Sequence, residues 1–373
     1  HVIRVNSGTF VEAGPINIAT GITVEGSGQT GTVLRNSNTG DYLLKLNSGS
    51  LSNGNQQIRN LTIDGNSRAN AGGIQANMRS NVKILNVRFD NLNNDAVNMR
   101  GAGWNQGRNN RVSGLEIGNC VFNNSGSHNT GGFKSGVIVI GTSNGSIIRD
   151  VNINCPSVST HGIKYDWNAA GNEGSGGWNF GLKIYNANIS TAGDSFSIEL
   201  FNSYNGCEIY NSSVNGDGVI DMRVHHNRIS GDALECQGSD MEFDHNYVYN
   251  SGDWGVAIWN AGDAGARRNY FIHDNVFEGA SNATSEALRI QTTQGALNFH
   301  FYNNTLYNLS RGVLLFTQTS DHLIRDVNIK NNVFRDMRRG SVEIYRQNNA
   351  GSFDNISLVN NVHFGGAALD MYG

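Results

Sequence analysis

The stretch Met241-Glu242-Phe243-Asp244-His245-Asn246-Tyr247-Val248-Tyr249-Asn250-Ser251-Gly252-Asp253-Trp254-Gly255-Val256-Ala257-Ile258 contains one full unit of the pattern that organises this chain. An asparagine at a turn opens a short apolar run at Asn246. A small-residue step follows, and a second run alternates through Val256 and Ile258. The turn-and-strand piece recurs as Asn60-Leu61-Thr62-Ile63, Asn86-Val87-Arg88-Phe89, Asn119-Cys120-Val121-Phe122, Asn275-Val276-Phe277, Asn304-Thr305-Leu306-Tyr307, Asn332-Val333-Phe334 and Asn361-Val362-His363-Phe364. The alternating piece recurs at Ala96-Val97-Asn98-Met99, Gly136-Val137-Ile138-Val139, Ala287-Leu288-Arg289-Ile290, Gly312-Val313-Leu314-Leu315, Ser341-Val342-Glu343-Ile344 and Ala368-Leu369-Asp370-Met371. Its heads are spaced 22 residues (Leu234 to Val256), 32 (to Leu288), 25 (to Val313), 29 (to Val342) and 27 (to Leu369). A period in the twenties with short strands describes one coil of a β-solenoid. Equivalent positions in successive coils then stack at about 4.8 Å. Inward Val, Ile and Leu form the core, and turn asparagines stack where their amides can bond neighbouring backbone.

The bulk composition agrees. With 47 Gly and 2 Pro in 373 residues, and with Asn, Ser and Thr crowding the turns, long helices are disfavoured. Regular apolar spacing and the lack of low-complexity tracts argue against disorder. Net charge is −4, and no basic run suggests a nucleic-acid footprint. No apolar run reaches the ~18–20 residues of a membrane span. The sequence begins at His1 without Met, which suggests removal of a signal peptide or neighbouring domain, and the last strand shows no obvious cap. We therefore expect one β-helix domain over residues 1–373, part of a secreted protein. Of Cys120, Cys155, Cys207 and Cys236, none forms a CxxC pair, so a zinc site on cysteine is not expected. Cys120 and Cys155 share a turn context and could bridge adjacent coils.

The opening Val-x-Val and Ile-x-Val-x-Gly coils and the Asn-Asn-x-Phe turns resemble the right-handed parallel β-helix (pectate-lyase-like) superfamily. The resemblance covers essentially the whole chain. It implies an all-β single right-handed solenoid of roughly 10–13 coils that binds or cleaves an extracellular polysaccharide along one parallel sheet. The Asp-Pro-His-Glu signature of alginate epimerases and the Asn-Thr-Asp, Asp-Asp and Arg-Ile-Lys set of polygalacturonases are not found. Fold alone does not fix chemistry.

The coils are unequally decorated. Three Gly-rich insertions lie at 101–112 with Trp104, at 123–135 with His128 and Lys134, and at 167–181 with Trp167 and Trp178. All flank the alternating strand, and loops lengthened on one side of a sheet build the walls of a cleft. Beside them the outward positions are read as Asn98 and Arg100, Ile138 and Ile140, Lys164 and Asp166, Glu199 and Phe201, Asp221 and Arg223, Glu235 and Gln237, Ala257 and Trp259, and Arg289 and Gln291. Charge is sparse in this chain, so the cluster Lys164, Asp166, Glu199, Asp221 and Glu235 stands out as the catalytic candidate.

A polymer of sugars needs aromatic platforms, hydroxyl partners and an acid–base pair. Trp104, His161, Trp167, Trp178, Phe201, Arg223, Gln237, Trp259 and Arg100 are the expected substrate contacts. Glu199 and Glu235, about two rungs apart, suit an inverting glycosidase pair, whose carboxyls stand roughly 6.5–9.5 Å apart, against about 5–5.5 Å in retaining enzymes. Asp221 joins them if Ile220 points inward; if Val219 heads the strand, Asp221 turns into the core. The plainer alternative is a solvated ladder, with Lys164 and Glu199 a cross-strand ion pair worth a few tenths of a kcal/mol. Asp95, Asp194, Asp217, Asp232 and Asp253 read as turn residues. No cofactor is expected, Ca²⁺ at these aspartates being the alternative. His225, His226 and His245 sit on a different strand from the ladder and read as surface. The expected function is glycoside hydrolysis. Polysaccharide lyase chemistry with a Lys, Arg or His base is the first alternative, and a non-catalytic carbohydrate-binding helix the second. Nucleic acid and membrane are not expected partners.

Overall fold

The computed structural model describes residues 1–101, 111–127, 129–130, 133–134, 136–155, 160–164, 179–191, 196–200, 203–204, 206–215, 217–220, 222–231, 234–236, 240–251, 254–259, 267–280, 285–291, 296–318 and 322–372. The chain gathers into two compact units, His1–Glu208 and Ile209–Gly373.

In the first unit seven short strands build the sheet that carries the ladder: Ile16–Asn17, Tyr42–Lys45, Gly72–Asn77, Val97–Arg100, Gly136–Gly141, His161–Lys164 and Phe196–Leu200. Their pairing is parallel throughout. One row runs Ile16, Leu44, Ile74, Val97, Ile138, Ile163, Ile198. Its members from Leu44 onward are fully buried and form the core. The adjacent row, pointing to the other face, runs Asn17, Lys45, Gln75, Asn98, Val139, Lys164, Glu199. Ile138 and Ile140, expected outward, therefore belong to the core and Val139 takes the outward place. The run Val137-Ile138-Val139-Ile140 is apolar at every position, so alternation gave no register there, and a slip of one residue exchanges the faces.

A second parallel sheet supplies the rest of each coil. It includes Arg79–Asp90, Glu116–Gly118, Val121–Asn123, Ile147–Arg149, Asn152–Cys155, Lys183–Tyr185 and Asn188–Thr191. Its corner is a left-handed residue in five successive coils: Asn60, Asn86, Asn119, Asp150 and Asn186, with φ of 57°, 55°, 54°, 52° and 51°. Asn and Asp tolerate this region better than other side chains that carry a Cβ. The residue after each corner turns inward and is apolar: Leu61, Val87, Cys120, Val151 and Ala187, all buried. Cys120, Cys155 and Cys207 are free thiols, so the possible Cys120–Cys155 bridge is not made. Burial pushes the Cys120 thiol up to about 12. A small four-stranded parallel sheet (Val112–Ser113, Ser143–Asn144, Asn179–Phe180, Ser203–Tyr204) completes these coils.

The second unit repeats the plan with its own seven ladder strands: Asp217–Ile220, Leu234–Cys236, Trp254–Trp259, Glu286–Gln291, Arg311–Thr317, Gly340–Arg346 and Ala367–Tyr372. Leu234, Val256, Leu288, Val313, Val342 and Leu369 are direct partners in succession, which matches the spacing read from sequence. Here the corner differs. The left-handed places are Asn211, His226, His245, Asp274, Asn303, Asn331 and Asn360. The inward residues after them are Ser212, Asn227, Asn246, Asn275, Asn304, Asn332 and Asn361. The repeated asparagines thus form two different rows. In the first unit the repeat asparagine takes the positive φ; in the second it is an interior amide. Each interior Oδ1 accepts both the backbone N–H and the Nδ2–H of the preceding asparagine, at 2.8–3.1 Å from Asn227 to Asn361.

Candidate active site

On the outward row of the first unit, Lys164 and Glu199 are direct cross-strand partners. Lys164 Nζ lies 3.8 Å from Glu199 Oε2, and His161 Nε2, from the start of the lysine's own strand, lies 3.7 Å from the same oxygen. Lys164 also lies near enough to Asp95 to attract its carboxyl. Asp95 precedes strand Val97–Arg100 and is held by three donors. The Tyr42 hydroxyl donates to Oδ2 at 2.6 Å, Asn98 Nδ2 donates to the same oxygen at 2.9 Å, and the Gly136 N–H donates to Oδ1 at 3.1 Å. Asn98 Nδ2 also reaches the Tyr42 oxygen at 3.2 Å.

Small residues make room for this cluster. A Cβ on Gly136 would stand 2.6 Å from Lys164 Cγ, and one on Gly72 would stand 2.6 Å from the Tyr42 ring. The cluster is nearly dry but not sealed. Tyr42, Asp95, Asn98, His161, Lys164 and Glu199 keep 4–8% of their surface, whereas Ile163 beneath them keeps none. In such surroundings a charge requires a partner. Lys164, set against both carboxylates, supplies it.

The acid–base character of Asp95 follows from its place. Burial pushes its carboxyl above the usual carboxylate range, although the bonds from Tyr42 and Asn98, the Lys164 charge and the Gly136 N–H oppose this. Burial and the adjacent Asp95 push the Tyr42 phenol well above its ordinary value. An acid raised in the folded state keeps its proton after the unfolded chain has lost it. Stability from Asp95 is therefore fully present below about pH 4, the unfolded value, and declines as pH rises toward the folded value. Asp95→Asn should remove that decline. Urea midpoints of both proteins measured from about pH 4 to 7 test this; a constant difference between them would show Asp95 titrating as in the unfolded chain.

The structure brings together Lys164, Glu199 and His161 from the expected set. Tyr42 and Asp95 were missed as site residues. Asp95 read as a turn residue, and Tyr42 is 53 positions from it in sequence. Arg100 is on the same sheet, where its Nε donates to Asn77 Oδ1 at 3.1 Å. Trp104, Asp166, Trp167, Trp178, Phe201, Asp221 and Gln237 lie outside the described residues. Glu235 and Trp259 fall on ladder strands of the second unit, with side chains outside the description. There Val219 pairs with Glu235, so Ile220 shares the row of Cys236 and the buried Ile258. The residue opposite Glu235 is Val219 and not Asp221. Arg223 is not on the ladder. It opens strand Arg223–His225 of the turn-side sheet, and its Nε lies 3.1 Å from both Asp244 and Glu242.

The second unit has a groove of ≈ 490 Å³ on its own ladder face, lined by Arg289, Arg311, Arg339, Glu343, Phe316 and Tyr345 among others. Fully buried Glu286 binds Arg289 Nε at 2.7 Å and Arg311 Nη1 at 2.7 Å, and Arg311 also pairs with Glu343. The Phe316 and Tyr345 rings stack at 5.1 Å.

No protein-family model matches the chain, and no curated protein matches it by sequence. Solved structures match it by shape. PfbA, a surface adhesin of Streptococcus pneumoniae, superposes with a TM-score of 0.60 at 13% identity over 92% of this chain and 85% of that one. The chain has the parallel β-helix fold. Lower scores are found with the catalytic domain of a GH87 alpha-1,3-glucanase (TM-score 0.48, 13% identity, 100% of this chain and 62% of that one) and with DFA-IIIase from Arthrobacter chlorophenolicus A6 (0.45, 11%, 88% and 84%). At such identities the likeness shows the fold alone.

Among the described residues, two overlapping sets of side chains stand close enough together to hold a metal ion: His226, Asp244 and His245, and Glu242, Asp244 and His273. Within each set one ligand atom per residue lies within 4.8 Å of the others. Among the described residues no helix is long and apolar enough to cross a membrane.

Proposed function

We propose that this β-helix is a secreted enzyme that hydrolyses a carbohydrate polymer by carboxylate acid–base chemistry on the ladder sheet of its first unit. The observation that carries this reading is the pair Asp95 and Glu199. Both are buried carboxylates of one cluster, and they stand in different electrostatic surroundings. Asp95 is biased by burial to hold its proton. Glu199 has the Lys164 ammonium and the His161 ring within 4 Å of one carboxylate oxygen. Two carboxyls in surroundings this unlike divide into acid and base. Asp95 serves as the proton donor to the leaving oxygen, and Glu199 as the base that takes a proton from the water attacking the sugar carbon as the glycosidic bond breaks, with Lys164 and His161 orienting its carboxylate. The stacked Phe316–Tyr345 rings beside Arg289 and Arg339 offer the second unit a platform for apolar sugar faces.

Lys164 and His161 also favour a second reading. β-Elimination on a uronic-acid polymer requires a cation against the substrate carboxylate and a base at the adjacent carbon, and these two residues are the right types. A third reading is binding alone, as the surface adhesin PfbA is described. One experiment separates them: incubation with a panel of neutral and uronic-acid polysaccharides, read both for reducing ends and for ultraviolet absorbance. Reducing ends without absorbance support hydrolysis. New absorbance means elimination, and retention on the polymer with neither signal means an adhesive module.

A further inference from the structure

The corner row of the second unit departs from its own repeat. Four of its seven left-handed places are asparagine (Asn211, Asn303, Asn331, Asn360), but two consecutive ones are His226 and His245, followed by Asp274. The backbone does not ask for this. His226 and His245 have φ of 56° and 54°, against 56° and 55° at Asn303 and Asn331. Their N–H groups make the same inter-coil bonds, to the Asp244 and His273 carbonyls. Asparagine satisfies this geometry elsewhere in the row, so the histidines must be explained by their side chains.

Those side chains converge. The His226 and His245 rings are parallel, with centroids 4.8 Å apart. Register places His225, Asp244 and His273 side by side in the neighbouring row. His226 Nδ1 lies 3.0 Å from His225 Nδ1, and His245 Nδ1 lies 2.9 Å from Asp244 Oδ2. His273 Nδ1 meets Asp274 at 2.8 Å, and its Nε2 meets Glu242 at 3.2 Å. Four of the ten histidines in the chain are gathered at this one corner. Asp244 is almost fully buried, while His226 and His245 are exposed, so a buried carboxylate backs two solvent-facing imidazoles. An imidazole oriented through one ring nitrogen by a carboxylate, as His245 is by Asp244, is the usual arrangement of a metal-ligating histidine.

We propose that His226, His245 and Asp244 bind a divalent transition-metal ion of the zinc type, with Glu242 and His273 as the adjoining ligands. The donor set decides the class. Two imidazoles and a carboxylate suit Zn²⁺ or its borderline neighbours. Ca²⁺ and Mg²⁺ take oxygen ligands throughout. The ion would tie together successive turns of the second unit, much as an added cross-link does. Its site is on the turn side and not on the ladder face, so its role is structural. Arg223, 3.1 Å from both Asp244 and Glu242, neutralises the carboxylates and must yield one of them when the metal enters.

The test uses the whole tag-free chain, stripped with chelator. Zinc chloride is titrated by calorimetry with calcium chloride as the comparison, and thermal midpoints are taken with and without each salt. The expected result is one Zn²⁺ per chain and a zinc-dependent rise in midpoint. The double variant His226→Asn/His245→Asn should keep the metal-free midpoint, because asparagine already occupies the row, and should lose zinc affinity by well over about tenfold. Absence of stoichiometric zinc binding overturns the proposal. So does a double variant that binds zinc as well as the parent, or calcium binding as tight as zinc binding.

Discussion

Glu199→Gln should lower turnover by about 10²–10⁴-fold, the usual contribution of a positioned acid or base, with little change in KM. Gln keeps the volume of the side chain and its place between Ile198 and Leu200, both of which are core. It removes the charge facing Lys164 and His161. Lys164 loses its Glu199 counter-charge while Asp95 holds its proton, so the stability loss should approach the ~3–5 kcal/mol of a broken buried pair. A circular-dichroism melt separates the two effects: a folded, inactive protein is the expected result. Activity near the parent level in a folded Glu199→Gln protein would sink the assignment. His161→Gln is the matching control. Under hydrolysis it should weaken activity modestly, because His161 acts through Glu199. Under β-elimination it should be the more damaging change, and the lost signal would be ultraviolet absorbance.

Asn304→Ala should cost the second unit about 1–3 kcal/mol, from the stranded buried Asn275 N–H, because Asn275 Nδ2 keeps the Phe243 and His273 carbonyls. The Asn304 Oδ1 accepts from Asn275 N and Nδ2, both at 3.0 Å, and its Nδ2 donates to the Ile272 carbonyl at 3.0 Å and to Asn332 Oδ1 at 3.1 Å. Asn304 is 1% exposed and Asn275 is 1%, so water cannot replace these bonds. The first unit fills the same inward place with Leu61, Val87 and Ala187, and there an apolar residue costs nothing. The difference lies in the neighbours: a row that is apolar throughout leaves no donor behind, whereas one gap in an amide ladder leaves a buried backbone N–H. Urea unfolding at neutral pH reports this directly. A midpoint shift equivalent to less than about 1 kcal/mol would show that the ladder is not cooperative.

The repeat was legible because a solenoid writes its geometry into the chain many times. The heads from Leu234 to Leu369 were read as equivalent, and each pairs with the next. Lys164 and Glu199 were legible for the same reason, each being a polar residue placed by alternation on a short strand, whereas His161 falls in the alternation of the core residue Ile163 and was read only as the histidine nearest the sheet. Legibility failed where the pattern carried two meanings. Asn119 and Asn304 look alike in sequence, yet one adopts a left-handed backbone and the other buries an amide. Arg223 follows the alternation of the strand before it, but the chain has already turned onto the other sheet. Ile138 sits in an apolar run with no polar residue to mark a face.

By itself, then, the sequence determined the coil, its period and the row on which Lys164 meets Glu199, since these are local alternation repeated at a regular interval. Only the tertiary structure decided that Tyr42 and Asp95 belong to that cluster, and that His226, His245 and Asp244 form another. Stacking coils at about 4.8 Å brings into contact residues that no local pattern connects. Burial then sets what their charges can do, as it does at Asp95.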